Sequence, residues 1–365
     1  MTFSFGNFFR DVSSLFSPQR VMGIDIGTTR IKMVELSHTR KGYVLENYAI
    51  IETTRYLERT NEALQSSSFP FNEERIYAAL DLLLRETKPR ATHVILGLPL
   101  FRVFVTPIEM PALSHEDTTR SLTFQARQYI PLSIQSVILD WTLINQFTNV
   151  QGRKMQRVLL TAIPRDLVER STRLFRALHL TLSGYEPESH ALLRVMGNKD
   201  DLPTLVVDIG ALSTMVMVEE KGVLQYVRQV DYGGFSLTYA FARSLGISSW
   251  RAEELKRRKG ILGVGGEQEL STSLLPFIDV ILQECERAKT LYEQSSGTTV
   301  ARVVLSGGSV ALPGFERYAV ERLQMQIVHS RPFEYVQIPS SLQPLTPQLS
   351  RECAVALGLA FRYFS

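Results

Sequence analysis

The chain has 365 residues, of which 44% are hydrophobic and 21% charged, and its formal net charge is +3. This profile is typical of a globular protein of roughly two domains, and so mild a charge argues against a dedicated nucleic-acid binder. No apolar run approaches the roughly 18 residues that a membrane span needs, and no cleavable leader opens the sequence, so we expect a cytoplasmic protein.

The first twenty residues, MTFSFGNFFRDVSSLFSPQR, precede the first predicted strand. Their phenylalanines and two arginines are compatible with a short amphipathic helix on a membrane surface. Gly6 and the serines weaken such a helix. A terminal tail that is mobile or packed on the protein body is therefore the alternative.

A strand-and-turn pattern occurs twice in the sequence. The first copy begins 21-VMGIDIGTTRIKMVEL-36, and the second is 204-TLVVDIGALSTMVMVEEKGVLQYVRQV-230. Each copy predicts three strands, with Asp-Ile-Gly before the first turn and Lys-Gly at the second turn. The repeat therefore predicts two similar sheets, one from each half of the chain.

Helices and strands alternate between and after the two copies. Apolar residues at helical spacing predict a helix over 72–87, with Asn72 as its N-cap, and 91–98 predicts a buried strand. The alternation favours an α/β architecture. The other predicted elements are an extended segment at 101–113, a helix at 114–129, strands at 136–147 and 156–163, helices at 165–178, 235–245 and 250–259, a loop at 263–266, a helix at 273–294, a strand from 301, a helix at 316–323, a Pro-rich loop at 331–347 and a final helix at 351–362.

The turns of the repeat carry residues that suit phosphate binding. Gly27, Thr28 and Thr29 offer backbone N–H groups and hydroxyls, and Lys32 adds a positive charge. The second copy offers Gly210, Ser213 and Thr214. Asp25 and Asp208 end the first strand of each copy, where a carboxylate could hold Mg²⁺ through water. Two such turns predict a polyphosphate clamp.

Two later segments fit the same chemistry. In 303-VVLSGGSVALPGF-315 a buried strand ends at a glycine pair, which would let a flat base approach the backbone. In 252-AEELK-256, Glu253 and Lys256 lie three residues apart on one helix face. The scattered histidines have no ligand spacing, and Cys285 and Cys353 lie in apolar helical patterns, so we expect no zinc site and no disulfide.

The order of these segments, DIGTTRIK, DIGALST, AEELK and LSGGSVALPGF, resembles the nucleotide-binding motifs of the actin superfamily. Within it the chain most closely resembles the PilM family of type IV pilus assembly. That likeness is carried by 107-PIEMPALSHEDTTRSLTFQARQYIPL-132, 158-VLLTAIPRDLVERSTRLFRAL-178, 186-EPESHALLR-194 and 354-AVALGLAFR-362. It implies actin-like (ribonuclease H-like) duplicated α/β domains flanking a nucleotide cleft, with a small inserted subdomain of the FtsA type.

The resemblance also implies roles for individual residues, with ATP and Mg²⁺ as the cofactors. Asp25 and Asp208 would hold Mg²⁺ through water, and the two turns would bind the phosphates. Glu253 and Lys256 would contact the ribose. Gly307, Gly308 and Ser309 would contact the base.

The implied domain organisation follows the same family. It comprises a tail at 1–20, a first actin-like domain at 21–100 plus 181–200 and 348–365, an inserted subdomain at 101–180, and a second actin-like domain at 201–347 with a smaller subdomain at about 240–300. In the PilM family the inserted region helps bind the cytoplasmic N-terminal tail of the inner-membrane protein PilN.

The implied function is an ATP-binding adaptor at the cytoplasmic face of the inner membrane, in contact with a PilN-like tail and with other platform and motor proteins. Self-association is also compatible with the family. For hydrolysis, Glu186 or Glu188 would orient the attacking water, and we expect slow or partner-dependent turnover.

Two alternatives remain at this point. One is an FtsA-like cell-division tether, although the amphipathic membrane helix that usually ends FtsA does not follow 361-FRYFS-365. The other is a sugar-kinase-type phosphotransferase, although no obvious acceptor-binding set lies between the halves.

Overall fold

The structure is a computed structural model that describes residues 20–52, 73–196, 201–261 and 274–364. Residues 1–19 of the predicted N-terminal tail, the N-cap at Asn72 and the loop at 263–266 lie outside these residues, whereas Arg20, the last residue of that predicted tail, begins the first strand. The strands in chain order are β1 (Arg20–Ile26), β2 (Arg30–Thr39), β3 (Gly42–Glu52), β4 (His93–Leu98), β5 (Phe104–Pro111), β6 (Val137–Thr148), β7 (Lys154–Pro164), β8 (Thr181–Pro187), β9 (Thr204–Ile209), β10 (Thr214–Glu220), β11 (Val223–Val230), β12 (Arg302–Ser306), β13 (Ile327–Val328) and β14 (Val336–Gln337).

The helices confirm most of the predicted pattern, with boundaries that differ by a few residues. They are α1 (Glu73–Thr87), α2 (His115–Gln125), α3 (Arg165–Ala177), α4 (Glu188–Met196), α5 (Gly234–Leu245), α6 (Ser249–Lys259), α7 (Leu275–Ser296), α8 (Phe315–Leu323), α9 (Thr346–Glu352) and α10 (Ala354–Arg362). Contacts divide the chain into two units. The first contains Met1–Leu192, Glu334–Ser340 and Val355–Ser365, and the second contains Leu193–Phe333 and Ser341–Ala354. The finer division predicted from the sequence stays a prediction.

The first unit contains a six-stranded sheet in the order β14-β3-β2-β1-β4-β8. Strands β1, β2 and β3 form an antiparallel meander, whereas β4 pairs parallel to β1 and β8 parallel to β4. Helices α1 and α3 cover this sheet with apolar residues at helical spacing. Leu80 and Phe175 from these helices are buried against Met22, Ile24 and Val94 of the strands.

The predicted inserted segment forms a separate three-stranded antiparallel sheet, β5-β7-β6. It has its own apolar core, in which Ile108 and Leu160 of the sheet pack with Leu122 of α2. Helix α2 begins after Ser114, whose hydroxyl accepts a hydrogen bond from the Asp117 N–H at 3.2 Å. This is the N-cap arrangement that fixes where a helix starts.

The second unit repeats the strand pattern of the first. Its five-stranded sheet has the order β11-β10-β9-β12-β13, with β9, β10 and β11 antiparallel and β12 parallel to β9. Helices α5, α7 and α8 bury Phe241, Ile281 and Phe315 against Leu205 and Val207. The two-sheet prediction is therefore confirmed, because each copy of the repeat forms an equivalent meander.

The C-terminal predictions were wrong in two places. The Pro-rich loop predicted at 331–347 contains β14, which pairs with β3, and Pro347 stands in the first turn of α9. Proline is tolerated there because the first N–H groups of a helix have no partner within the helix. The single helix predicted at 351–362 is broken at Cys353, which caps α9 with φ −109° and ψ 10° before α10 begins.

Both cysteines are buried, as predicted. Burial, with the nearby charges of Glu286 and Glu284, raises the pKa of Cys285 to about 12, so its thiol stays protonated. None of the helices in the described part of the chain has the length and hydropathy of a membrane span.

Candidate functional site

The first hairpin, formed by β1, β2 and their connecting turn, brings the predicted residues of the first copy together. The Gly27 N–H closes the turn by donating to the Arg30 carbonyl at 3.0 Å, which leaves Thr28 and Thr29 at its tip. Asp25 faces Lys32 across the antiparallel ladder. The Lys32 Nζ lies 2.9 Å from the Asp25 Oδ2. The two residues predicted for metal and phosphate therefore form an ion pair.

The ion pair stabilises the hairpin because Asp25 is buried. The side chain of Asp25 is only 4% exposed, whereas that of Lys32 is 24% exposed. A carboxylate is buried at low cost only when a cation or hydrogen-bond donor compensates its charge. Lys32 supplies that compensation and still has part of its surface in solvent.

The second hairpin, formed by β9, β10 and their connecting turn, has the same closure. The Gly210 N–H donates to the Ser213 carbonyl at 3.0 Å. Asp208 has Met215 opposite it in the ladder, so the position equivalent to Lys32 carries no charge. The buried Thr214 donates its hydroxyl hydrogen to the Tyr232 carbonyl at 2.7 Å, which joins the hairpin to the segment between β11 and α5.

A glycine pair that sequence reasoning missed supports the second turn. The Gly234 N–H donates to the Gly210 carbonyl at 3.0 Å, and the Phe235 N–H donates to the Ala211 carbonyl at 2.7 Å. These bonds fix the N-terminus of α5 on the turn. The signal was present as Gly233-Gly234, which follows the predicted strand after two intervening residues, and glycine often marks a close backbone approach.

The predicted base loop lies against the same turn. Gly307 has φ 91° and ψ 160°, a backbone region open essentially to glycine alone, and an added Cβ would lie 2.4 Å from the Ile209 carbonyl oxygen. The Ser309 hydroxyl donates to the Gly210 carbonyl at 3.1 Å. Gly308 is exposed, with no atom within 4 Å of where its Cβ would be.

Glu253 and Lys256 form the predicted pair on α6, at 2.6 Å between the Lys256 Nζ and the Glu253 Oε2. Burial alone would raise the pKa of Glu253, but the Lys256 charge and hydrogen bonds from Lys256, Thr238 and Arg257 lower it below its usual value. Burial also lowers the pKa of Lys256, against the opposing effect of Glu253. Thr238 was not predicted as part of this group.

The two candidate catalytic glutamates lie in the first unit. Glu186, on β8, is buried, and its Oε1 lies 3.0 Å from the Arg362 Nη1 of α10. Glu188 begins α4 and is in its first turn, where a carboxylate is stabilised by the helix dipole. Each glutamate therefore has a local structural role.

Within the described ranges, no three His, Cys, Asp or Glu side chains come together as a metal-ligand group. One carboxylate at the end of the first strand of each hairpin is nevertheless compatible with Mg²⁺. That ion keeps most of its waters and is usually held by one or two carboxylates together with substrate phosphates.

Two meanders extended by parallel strands, each with an Asp-Ile-Gly hairpin, define a protein of the actin-like α/β class. A PilM from a PilM-PilN type IV pilus biogenesis complex has a similar structure, with a TM-score of 0.80 and 24% identity over 96% of this chain and 99% of that one. The chain belongs to the family of the type IV pilus assembly protein PilM, whose family model matches residues 23–364.

More distant structures have the same fold. The ethanolamine utilization protein EutJ from Carboxydothermus hydrogenoformans is similar at a TM-score of 0.50 and 16% identity, over 93% of this chain and 90% of that one. MreB5 of Spiroplasma citri bound to ADP is similar at a TM-score of 0.50 and 12% identity, over 86% and 92%. The family match favours a pilus assembly protein over the FtsA-like and sugar-kinase alternatives.

Proposed function

We propose that this protein is the nucleotide-binding adaptor of a type IV pilus platform. It binds ATP with Mg²⁺ and, in a nucleotide-dependent way, the cytoplasmic N-terminal tail of a PilN-like inner-membrane protein. This partner holds it at the cytoplasmic face of the inner membrane. Hydrolysis of the bound ATP is slow or depends on the partner.

The observation that carries the nucleotide proposal is the hairpin that occurs twice with one closure. In both copies a glycine N–H bonds to the carbonyl three residues on, and an aspartate lies two residues before that glycine. Turns of this kind present N–H groups and hydroxyls to anions. Thr28, Thr29 and Lys32 of the first turn, and Ser213 of the second, are the proposed phosphate-binding residues. The buried Thr214 gives its hydroxyl hydrogen to the Tyr232 carbonyl, so its predicted contact with phosphate is not proposed.

Asp25 and Asp208 are the proposed carboxylates for Mg²⁺, which they would hold through its bound waters. When bound, the ion would offset the negative charge of the phosphates. Asp25 already has its cation in Lys32, so the first hairpin would present Mg²⁺ with a carboxylate whose orientation is fixed.

Glu253 is the proposed ribose contact, and Gly307, Gly308 and Ser309 form the proposed base loop. Gly308 supports this assignment because it leaves the loop open where a flat base would approach. Ser309 joins the loop to the second turn through the Gly210 carbonyl, so base and phosphate residues would move together.

The partner proposal rests on the family and on the surface of the inserted sheet. Helix α2 and the segment after it expose Phe124, Tyr129 and Leu132, with Phe124 70% exposed. Contiguous exposed apolar patches mark interaction sites, and we propose that these three residues contribute to such a patch. The likeness to PilM of a PilM-PilN complex supports a membrane-protein tail as the ligand.

Capture of synthetic tails tests the adaptor function. We expect the full chain to bind the N-terminal peptide of a PilN-like protein, with an affinity that changes when Mg²⁺ and ATP are added. Phe124→Ser should weaken capture by about tenfold, since a central aromatic contact in an interface contributes 1–2 kcal/mol or more. Val150→Ser is the matched control, because Val150 is fully exposed in the β6–β7 turn of the same subdomain. Failure to bind any tail in either nucleotide state would contradict the proposal.

The glutamates can be separated by single-turnover hydrolysis in the presence of the tail. Glu188→Gln should slow hydrolysis with little change in stability, if Glu188 orients water. Glu186→Gln should also reduce stability, because it leaves the Arg362 guanidinium without its carboxylate partner. Rapid hydrolysis by the isolated wild-type chain would contradict slow or partner-dependent turnover.

A further inference from the structure

The ammonium group of Lys256 has no hydrogen left for a ligand. Its Nζ lies 2.7 Å from the Gly234 carbonyl oxygen, 2.8 Å from the Thr238 Oγ1 and 2.6 Å from the Glu253 Oε2. A lysine ammonium has three N–H donors and no acceptor. These acceptors therefore use all three donors, and the side chain is only 8% exposed.

One of these bonds leads directly to the second hairpin. Lys256 donates to the Gly234 carbonyl, the Gly234 N–H donates to the Gly210 carbonyl, and the Gly210 N–H donates to the Ser213 carbonyl. The Ser309 hydroxyl donates to that same Gly210 carbonyl. A continuous chain of hydrogen bonds thus joins helix α6 to the turn and to the base loop.

Close packing at Gly234 keeps this chain together. An added Cβ there would lie 2.3 Å from the Ser309 Oγ and 3.5 Å from the Lys256 Nζ. The first turn of α5 therefore lies between Lys256 of α6 and Ser309 of the proposed base loop. The peptide group between Gly234 and Phe235 accepts from Lys256 at its carbonyl and donates through the Phe235 N–H to the Ala211 carbonyl, and two hydrogen bonds on one peptide group polarise and strengthen each other.

We propose that Lys256 is a positioning residue that holds the second hairpin in place through Gly234, rather than a residue that touches the nucleotide. Glu253 is then the member of the pair that faces the ribose. This inference deepens the proposed function and rests on it for the identity of the ligand. The placement of the turn by Lys256 is a property of the chain without ligand.

Amide hydrogen exchange of the ligand-free full chain tests the positioning directly. Lys256→Met removes the charge and the three donors with little change in length. We expect exchange at Gly210 and Gly234 to accelerate by about tenfold or more, because their hydrogen bonds open more often. Exchange in α7 should not change.

Two further variants keep this test interpretable. Thr238→Val keeps the branched shape of the side chain but removes one acceptor of Lys256 and the hydroxyl that lies 2.9 Å from the Gly234 carbonyl oxygen. It should accelerate exchange at the same two amides by a smaller factor. Arg257→Met is the matched control, because Arg257 is a neighbouring cation that bonds to Glu253 but not to Gly234. It should leave exchange at Gly210 and Gly234 unchanged. Wild-type exchange at both amides in Lys256→Met and Thr238→Val would overturn the proposal.

Titration with ATP, 2′-deoxy-ATP and 3′-deoxy-ATP separates positioning from ribose contact. If Lys256 only positions the turn, Lys256→Met weakens all three ligands by the same factor and preserves their ratios. Loss of the discrimination between ATP and either deoxy form in Lys256→Met would show a direct ribose contact and overturn the proposal. If the wild-type chain binds no ATP, the proposed function fails, while the exchange experiment still decides whether Lys256 positions the turn.

Discussion

The two hairpins share one backbone closure but are stabilised differently. In the first, charge fixes the aspartate, because Lys32 pairs with the buried Asp25 across the strands. In the second, Met215 replaces that lysine, and backbone bonds from Gly234 and the hydroxyl of Ser309 hold the turn at Gly210. The two turns therefore have the same hydrogen-bond closure, whereas a side-chain ion pair stabilises the first hairpin and bonds from α5 and from the base loop stabilise the second.

This difference indicates a division of roles. The first hairpin contains the ion pair between Asp25 and Lys32, in which the two charges cancel and the lysine is partly exposed. The second contributes a turn whose position depends on α5, on α6 and on the base loop. Substitutions in the first hairpin should therefore act locally, whereas those around the second should spread to several elements.

The largest expected effect is at Gly307, behind the second hairpin. Gly307→Ala forces a side chain into a glycine-only backbone region and against the Ile209 carbonyl, so we expect a loss of about 3 kcal/mol in the free energy of unfolding. Urea denaturation measures this loss. Gly308→Ala is the control, since the space around Gly308 is open, and it should change stability by less than about 0.5 kcal/mol. Equal effects of the two substitutions would contradict this account of the loop.

The next effect concerns the charge in the first hairpin. Lys32→Met leaves the buried Asp25 carboxylate without its cross-strand cation, and we expect a loss of about 2 kcal/mol in unfolding free energy, since Lys32 is partly exposed. Arg30→Met, which removes the more exposed ion pair with Glu52 in the same hairpin, should lose less than about 1 kcal/mol. A larger loss for Arg30→Met than for Lys32→Met would show that burial does not set the importance of the pair.

A pair of double-mutant cycles measures the contrast between the hairpins. The cycle of Asp25→Asn with Lys32→Met should give a coupling energy of about 1–2 kcal/mol. The equivalent cycle of Asp208→Asn with Met215→Leu should give less than about 0.5 kcal/mol, because the residue that pairs with Asp208 in the ladder, Met215, is uncharged. Similar coupling energies in both cycles would contradict the conclusion that a cross-strand ion pair stabilises the first hairpin but not the second.

The smallest effect is a pH dependence in the network behind the second hairpin. The pKa of Glu253 is lowered in the folded state, so its stabilisation is fully present above its ordinary value of 4.5 and is lost as the pH falls through the folded value. Glu253→Gln should remove this component. We expect the unfolding free energy of the variant to fall less steeply than that of the wild type between about pH 5 and pH 3. Parallel pH profiles of the unfolding free energy for the wild type and Glu253→Gln would contradict a lowered pKa of Glu253 in the folded state.

The sequence predicted the parts of the fold that local patterns determine. The repeated Asp-Ile-Gly turns, the alternating strands around them and the helix that begins near Ser114 all depend on neighbouring residues, and the structure contains them. The Glu253–Lys256 pair could also be predicted from the sequence, because a spacing of three residues places both side chains on one helix face.

The remaining features depend on partners that are distant in sequence. Strand β14 has only Val336 and Gln337 in its ladder, so its existence depends on β3 rather than on its own pattern. The bond between Lys256 and the Gly234 carbonyl joins residues from two helices. No spacing rule predicts that a buried lysine uses all its donors on such acceptors.

The central claim is that the turns of the two hairpins bind phosphate groups of ATP, and calorimetric titration with ATP in the presence of Mg²⁺ tests it most directly. We expect saturable binding to the wild-type chain with a stoichiometry of about one, and an affinity at least about tenfold weaker for Asp25→Asn and for Asp208→Asn, as for loss of a charged contact. Absence of binding to the wild type, or unchanged affinity in both variants, would contradict the claim.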